Sequence, residues 1–186
     1  MLAVALRTTS TYSHLPATVS VGNVTSIATY KPDFARSTKS FRDVNGGSVR
    51  RGDVIGVCAP AGPAVAERDL HHGVAYLQSL GYKVLLAPHV LRRRGYLAGE
   101  DRDRASDLMH LFTDRRVRAI IALRGGYGTT RILPLLDYAA IRRNPKIVVG
   151  YSDITALSLA LYARAGLVSV AGAMVGAEMA RGLTGE

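Results

Sequence analysis

From residue 52 onward, short continuous apolar runs alternate with stretches in which apolar residues recur every three or four positions. The runs at 54–57, 84–87, 119–123 and 147–149 are too short for helices and rich in β-branched residues, so they read as strands buried on both faces. Between them, Leu70, Val74 and Leu77, and later Leu108, Leu111 and Phe112, keep helical spacing, which predicts helices over about 67–80 and 101–112. A short helix near 130–136 and a longer one over 154–165 follow, with Gly81 and Gly166 as C-terminal stops. Alternation of this kind implies a parallel sheet covered on both faces, with ligands at the carboxyl ends of its strands. The fold class expected is α/β, a doubly wound, mostly parallel, flavodoxin-like sheet.

Residues 1–48 differ in kind. They are rich in Ser and Thr, hold no acid before Asp33, and sustain neither period. They read as a disordered or extraneous leader, because the opening apolar run is too short for a secretory core and is followed by Arg7. No run approaches the roughly 20 apolar residues needed to span a bilayer. Residues 49–175 form the expected domain, and 176–186 resemble the start of an interdomain linker.

Composition narrows the function classes. The chain has 186 residues and one cysteine, so an intrachain disulfide is excluded and nothing requires an oxidising compartment; a cytoplasmic setting is expected. Cys58, at the end of an apolar run, reads as a small core residue rather than a thiol nucleophile. The net charge is +10, of which residues 1–50 carry +4 and the remainder +6. Its one dense cluster is Arg92-Arg93-Arg94, with Arg115, Arg116 and Arg118 further on, without interleaved aromatics or a nucleic-acid-binding signature. A solvated basic surface follows, with neither nucleic acid nor membrane as the expected partner; a homodimer stays open. No His, Cys or carboxylate cluster stands at ligand spacing, so neither metal nor cofactor is expected.

The chemistry concentrates in two glycine turns. One apolar run leads into Arg124-Gly125-Gly126-Tyr127-Gly128, the other into Gly150-Tyr151-Ser152-Asp153. A serine on a sharp strand-to-helix turn is lifted from the backbone while the first helical amides point at the same place, which favours developing negative charge. Ser followed by Asp also makes an ordinary helix cap. The G-x-S-x-G pattern is broken by Ile154, and the first turn fits neither G-x-G-x-x-G nor a Walker A loop. None of His14, His71, His72, His89 and His110 is placed by sequence as a base for Ser152. The arginine-rich segment 92–99, with Tyr96 and Leu97, reads equally as a substrate-contacting loop or an exposed connection.

These motifs occur in one order with Tyr96-Leu97-Ala98-Gly99-Glu100-Asp101, Arg104 to Leu108, Leu135 to Tyr138, and Asn144-Pro145-Lys146. Over residues 52–174 the chain closely resembles the amino-terminal half of the LD-carboxypeptidase family. These serine peptidases include murein tetrapeptide carboxypeptidases and microcin C self-immunity proteins. The resemblance implies that Ser152 is the nucleophile and that the amides of Gly126 and Asp153 form the oxyanion hole. It also implies that a glutamate and a histidine from a carboxy-terminal catalytic domain, missing from this chain, complete the triad. The expected substrate is a murein tetrapeptide, cleaved to release its terminal D-amino acid. The alternatives are an immunity-type hydrolase of peptidyl or aminoacyl nucleotides and a non-catalytic muropeptide-binding remnant. Two positions depart from the family pattern: Ser169 to Met174 stands where many relatives have His-Gly-Pro, and Ala61 replaces a usual serine.

Overall fold

The computed structural model describes residues 48–182, together with the backbone of two short leader strands. Those strands, Thr18–Val21 and Val24–Ile27, pair antiparallel. The remainder of the leader, and residues 183–186 of the expected linker, lie outside the described residues.

The domain runs β1 (Val54–Cys58), α1 (Glu67–Ser79), β2 (Lys83–Leu86), α2 (Asp101–Thr113) and β3 (Val117–Ala122). It continues with α3 (Thr129–Ile132), α4 (Tyr138–Arg143), β4 (Ile147–Val149) and α5 (Ile154–Ala165). The strands are all parallel in the order β2-β1-β3-β4, and Val170 bridges Val149 in parallel beyond β4. This is the doubly wound arrangement expected.

Alternation along the strands divides the core between two faces. Ile55, Val57, Ile121 and Leu123 pack with Leu70 and Leu77 of α1 on one side. Cys58, Ile120, Ala122 and Val148 pack on the other with α2, α4 and α5, through Leu108, Ile141 and Leu157. A chain that winds first one way from β1 and then the other leaves a crevice between the carboxyl ends of β1 and β3.

Three local differences from the sequence reading have simple causes. β3 starts at Val117, two residues early, because exposed Arg118 interrupts the apolar run while Val117 and Ala119 on either side are buried. The helix expected over 130–136 stops at Ile132 and becomes a 3-10 turn, Leu133–Leu135, since Pro134 lacks the amide an α-helix would use. Helix α4 went unassigned: its six residues are too few for a periodicity, and its start depends on Asp137, whose carboxylate accepts from Ala140 N at 2.9 Å. Packing also continues past residue 175. Val175 and Met179 are buried with α1, and Gly73 of α1 lies so close that an added Cβ would fall 2.0 Å from the Val175 carbonyl oxygen.

Candidate active site

The turns after β1, β3 and β4 converge at the carboxyl edge of the sheet. Leu123 N donates to Cys58 O at 2.7 Å, and Gly62 N donates to Gly125 O at 3.2 Å, so the first two turns run side by side. Gly126, at φ +126°, backs onto Gly62; a Cβ there would meet the Gly62 Cα and N at 3.1 Å. Gly125 faces the third turn. A Cβ at this position would stand 3.0 Å from Ser152 Cβ and 3.1 Å from Ser152 Oγ. Both positions require glycine for close approach.

Ser152 has φ 62°, and among the described residues it is the one non-glycine with a left-handed backbone. That conformation costs on the order of 1 kcal/mol or more and persists where the surroundings impose it. Gly150 permits the preceding tight approach, since a Cβ there would lie 2.8 Å from Ile154 Cγ2 and 3.2 Å from Ala122 Cβ. Ser152 is exposed and does not cap α5: the cap position is Asp153, and no side chain accepts from the helix amides there. The simple capping explanation of this serine therefore does not describe its geometry. The backbone amides of Gly126 and Asp153 make no backbone hydrogen bond among the described residues.

The carboxylate of Asp153 turns back to the glycine turn, where Oδ2 accepts from Thr129 N at 2.9 Å. Tyr151 donates its hydroxyl to Glu178, whose other oxygen accepts from Met174 N at 3.0 Å, tying the Ser152 turn to the segment beyond β4. Burial acts to raise the Glu178 carboxyl, but these hydrogen bonds outweigh it and leave it below the usual carboxylate range. The hydrogen bond to Glu178 is the largest of the influences that raise the Tyr151 phenol.

Segment 92–99 sits over the same edge and is anchored. Arg94 and Leu97 exchange backbone hydrogen bonds of 2.9 and 3.1 Å, and Ala98 N donates to Ala61 O at 3.0 Å. Leu97 is buried against Gly128, while Tyr96 and Tyr127 stay 64% and 72% exposed with their rings edge to face, 6.3 Å apart.

Among the described residues, the histidines do not gather at Ser152. His71, His72 and His110 lie on α1 and α2, and His14 lies outside the described residues. His89, beyond edge strand β2, holds buried Asp107 through Nδ1 at 2.8 Å and through its backbone N–H at 3.0 Å. His89 follows β2, which β1 and β3 separate from β4 and the Ser152 turn. It fastens the loop after β2 to α2. Cys58 is buried, and desolvation, with the Asp107 charge adding to it, pushes its thiol far above the ordinary range, so it is an inert core residue. Among the described residues, no group of three or more His, Cys, Asp or Glu side chains could hold a metal ion.

Sequence reasoning missed Arg104, His89 with Asp107, Glu178, and the Asp153 carboxylate as a remote cap. All four act through partners distant in the chain, and only the tertiary fold brings those partners together.

Comparison with known proteins gives a consistent picture. Residues 55–172 match the family model described as LD-carboxypeptidase N-terminal domain. The Bacillus subtilis (strain 168) protein named probable murein peptide carboxypeptidase is 39% identical over 132 residues, 71% of this chain and 41% of its own length. The microcin C7 self-immunity protein MccF of Escherichia coli is 36% identical over 123 residues, 65% of this chain and 36% of its own. A solved structure of MccF in complex with glutamyl sulfamoyl guanosine superposes with a TM-score of 0.71 at 31% identity, covering 74% of this chain and 42% of that one. The chain thus spans about two fifths of the length of the relatives it matches.

Proposed function

Because the chain belongs to the LD-carboxypeptidase family, we propose that it supplies the nucleophile and oxyanion-binding half of a serine-type carboxypeptidase acting on murein tetrapeptide. The observation that carries this reading is the left-handed backbone of Ser152, held against Gly125 at the carboxyl edge of the sheet. Ser152 Oγ attacks the carbonyl carbon of the L,D-amide while its proton passes to a base. The carbonyl oxygen takes up the negative charge and is bound by the N–H groups of Gly126 and Asp153. The C–N bond then breaks as the base returns its proton to the nitrogen, the amine leaves as the D-amino acid, and water hydrolyses the acyl-enzyme to free Ser152. No histidine among the described residues stands beside Ser152, so the base belongs to the glutamate and histidine that the family carries in its carboxy-terminal half. On this reading the isolated chain is nearly inactive, and its setting is cytoplasmic.

The likeness to MccF supports a second reading, hydrolysis of a peptidyl or aminoacyl nucleotide by the same serine. Assaying tetrapeptide and aminoacyl sulfamoyl nucleotide side by side separates the two. The shared core of both readings is tested by fluorophosphonate labelling read by mass spectrometry. Ser152 takes the label slowly in the chain alone and at least about tenfold faster when the carboxy-terminal half of a relative supplies the base. Label on another residue, or label that survives Ser152→Ala, overturns both.

A further inference from the structure

The peptide unit that joins Gly128 to Thr129 is gripped at both ends by side chains from other parts of the molecule. Its carbonyl accepts from Arg104 Nη1 at 3.0 Å, and its N–H donates to Asp153 Oδ2 at 2.9 Å. Arg104 comes from the first turn of α2 and is 1% exposed. The same nitrogen donates to Pro60 O in the turn after β1, the other terminal nitrogen pairs with Asp101, and Nε has no partner among the described residues. Asp153 follows Ser152 directly. One side chain therefore joins the β1 turn to the glycine turn, and the other joins the glycine turn to the Ser152 turn.

Stability alone accounts poorly for this arrangement. Burying a guanidinium carries a large desolvation cost, and an apolar side chain of similar volume often does as well. A helix of four residues also has little need of a cap from another turn, yet Gly128, at φ +104°, has no side chain to offer and Asp153 takes that place. What an apolar replacement could not do is fix the spacing of three turns through a peptide whose carbonyl and N–H polarise one another when both are bonded.

We propose that Arg104 and the Asp153 carboxylate are positioning residues that clamp the Gly128–Thr129 peptide and so hold Gly125 and Gly126 at the working distance from Ser152. This rests on Ser152 being the nucleophile. Displacement of about 1 Å between a nucleophile and its oxyanion donors is costly to rate, so a clamp at this point has a direct chemical use.

The test uses the chain itself, 15N-labelled, with Asp153→Ala, Asp153→Asn and Arg104→Lys. In Asp153→Ala the Thr129 amide exchanges with solvent about tenfold faster, while amides of Leu70 and Leu77 in α1 keep their rates. Asp153→Asn, which retains an acceptor oxygen, returns Thr129 to within about threefold of the parent. Arg104→Lys, with one compact donor in place of a fork, shifts the Gly125 and Gly126 amide resonances. Fluorophosphonate labelling of Ser152 slows about tenfold in Asp153→Ala and recovers in Asp153→Asn at unchanged melting temperature. Unchanged Thr129 exchange in Asp153→Ala, acceleration equal to that of α1, or labelling as fast as the parent overturns the proposal. A parent chain in which Ser152 takes no label even when the carboxy-terminal half of a relative supplies the base defeats the nucleophile reading instead, and the exchange rates then judge the clamp alone.

Discussion

At the scale of single residues, the site is defined by what its glycines exclude. Gly125→Ala places a methyl group 3.0 Å from Ser152 Cβ and 3.1 Å from Oγ. The two turns must separate, so labelling of Ser152 is expected to fall at least about tenfold while circular dichroism stays that of the folded chain. Gly126→Ala meets backbone atoms of Gly62 at 3.1 Å from a φ of +126°, and is expected to lower unfolding free energy by about 1–3 kcal/mol in a urea titration. The motif residues were legible in the sequence because their types and order are distinctive. Their reasons were not: that Gly125 faces Ser152 while Gly126 faces Gly62 depends on three strands standing side by side. Asp114 gives a pH prediction of the same scale. Side-chain hydrogen bonds from Arg116, with its backbone N–H, hold the Asp114 carboxyl down at about 2. A depressed folded value means that the contribution is complete above the unfolded pKa, near 3.9, and is lost as pH falls toward 2. Asp114→Asn should therefore flatten the fall in melting temperature between about pH 4 and 2.

At the scale of elements, apolar period and glycine stops located four strands and the long helices to within a few residues, since a buried parallel sheet writes itself as short β-branched runs. What escaped were features with no period, namely α4, begun by the Asp137 cap, and the segment after Val170. That segment packs on α1 so closely that Gly73→Ala must push it away, its Cβ lying 2.0 Å from the Val175 oxygen. The expected result is a loss of about 2–3 kcal/mol in urea unfolding, together with faster amide exchange at Gly176, whose N–H bonds Leu123 O at 2.7 Å. An unchanged midpoint would show that the segment does not pack there. Segment 92–99 belongs to the same class: composition marked it as a loop, but its attachment to Ala61 and its burial of Leu97 against Gly128 come from the tertiary structure alone.

At the scale of the whole molecule, the doubly wound topology decides where chemistry can occur. Strand order β2-β1-β3-β4 opens a crevice at the carboxyl ends of β1 and β3, and the glycine turns and Ser152 all stand on that edge. Acidic residues sit at the starts of α1 and α2, on the same edge, as helix dipoles favour. Exposed Arg115, Arg116, Arg118, Arg142 and Arg143 lie instead about the strand starts, so much of the basic excess falls away from the site. Ser152 is proposed as the nucleophile of a family-type hydrolysis to which this chain contributes the serine. Joining residues 49–182 to the carboxy-terminal half of the Bacillus subtilis relative and measuring D-alanine release from murein tetrapeptide tests that role. The folded chimera is expected to release D-alanine, and Ser152→Ala to lower the rate about a thousandfold or more. Release that survives the substitution, or a folded chimera with no release at all, would contradict it.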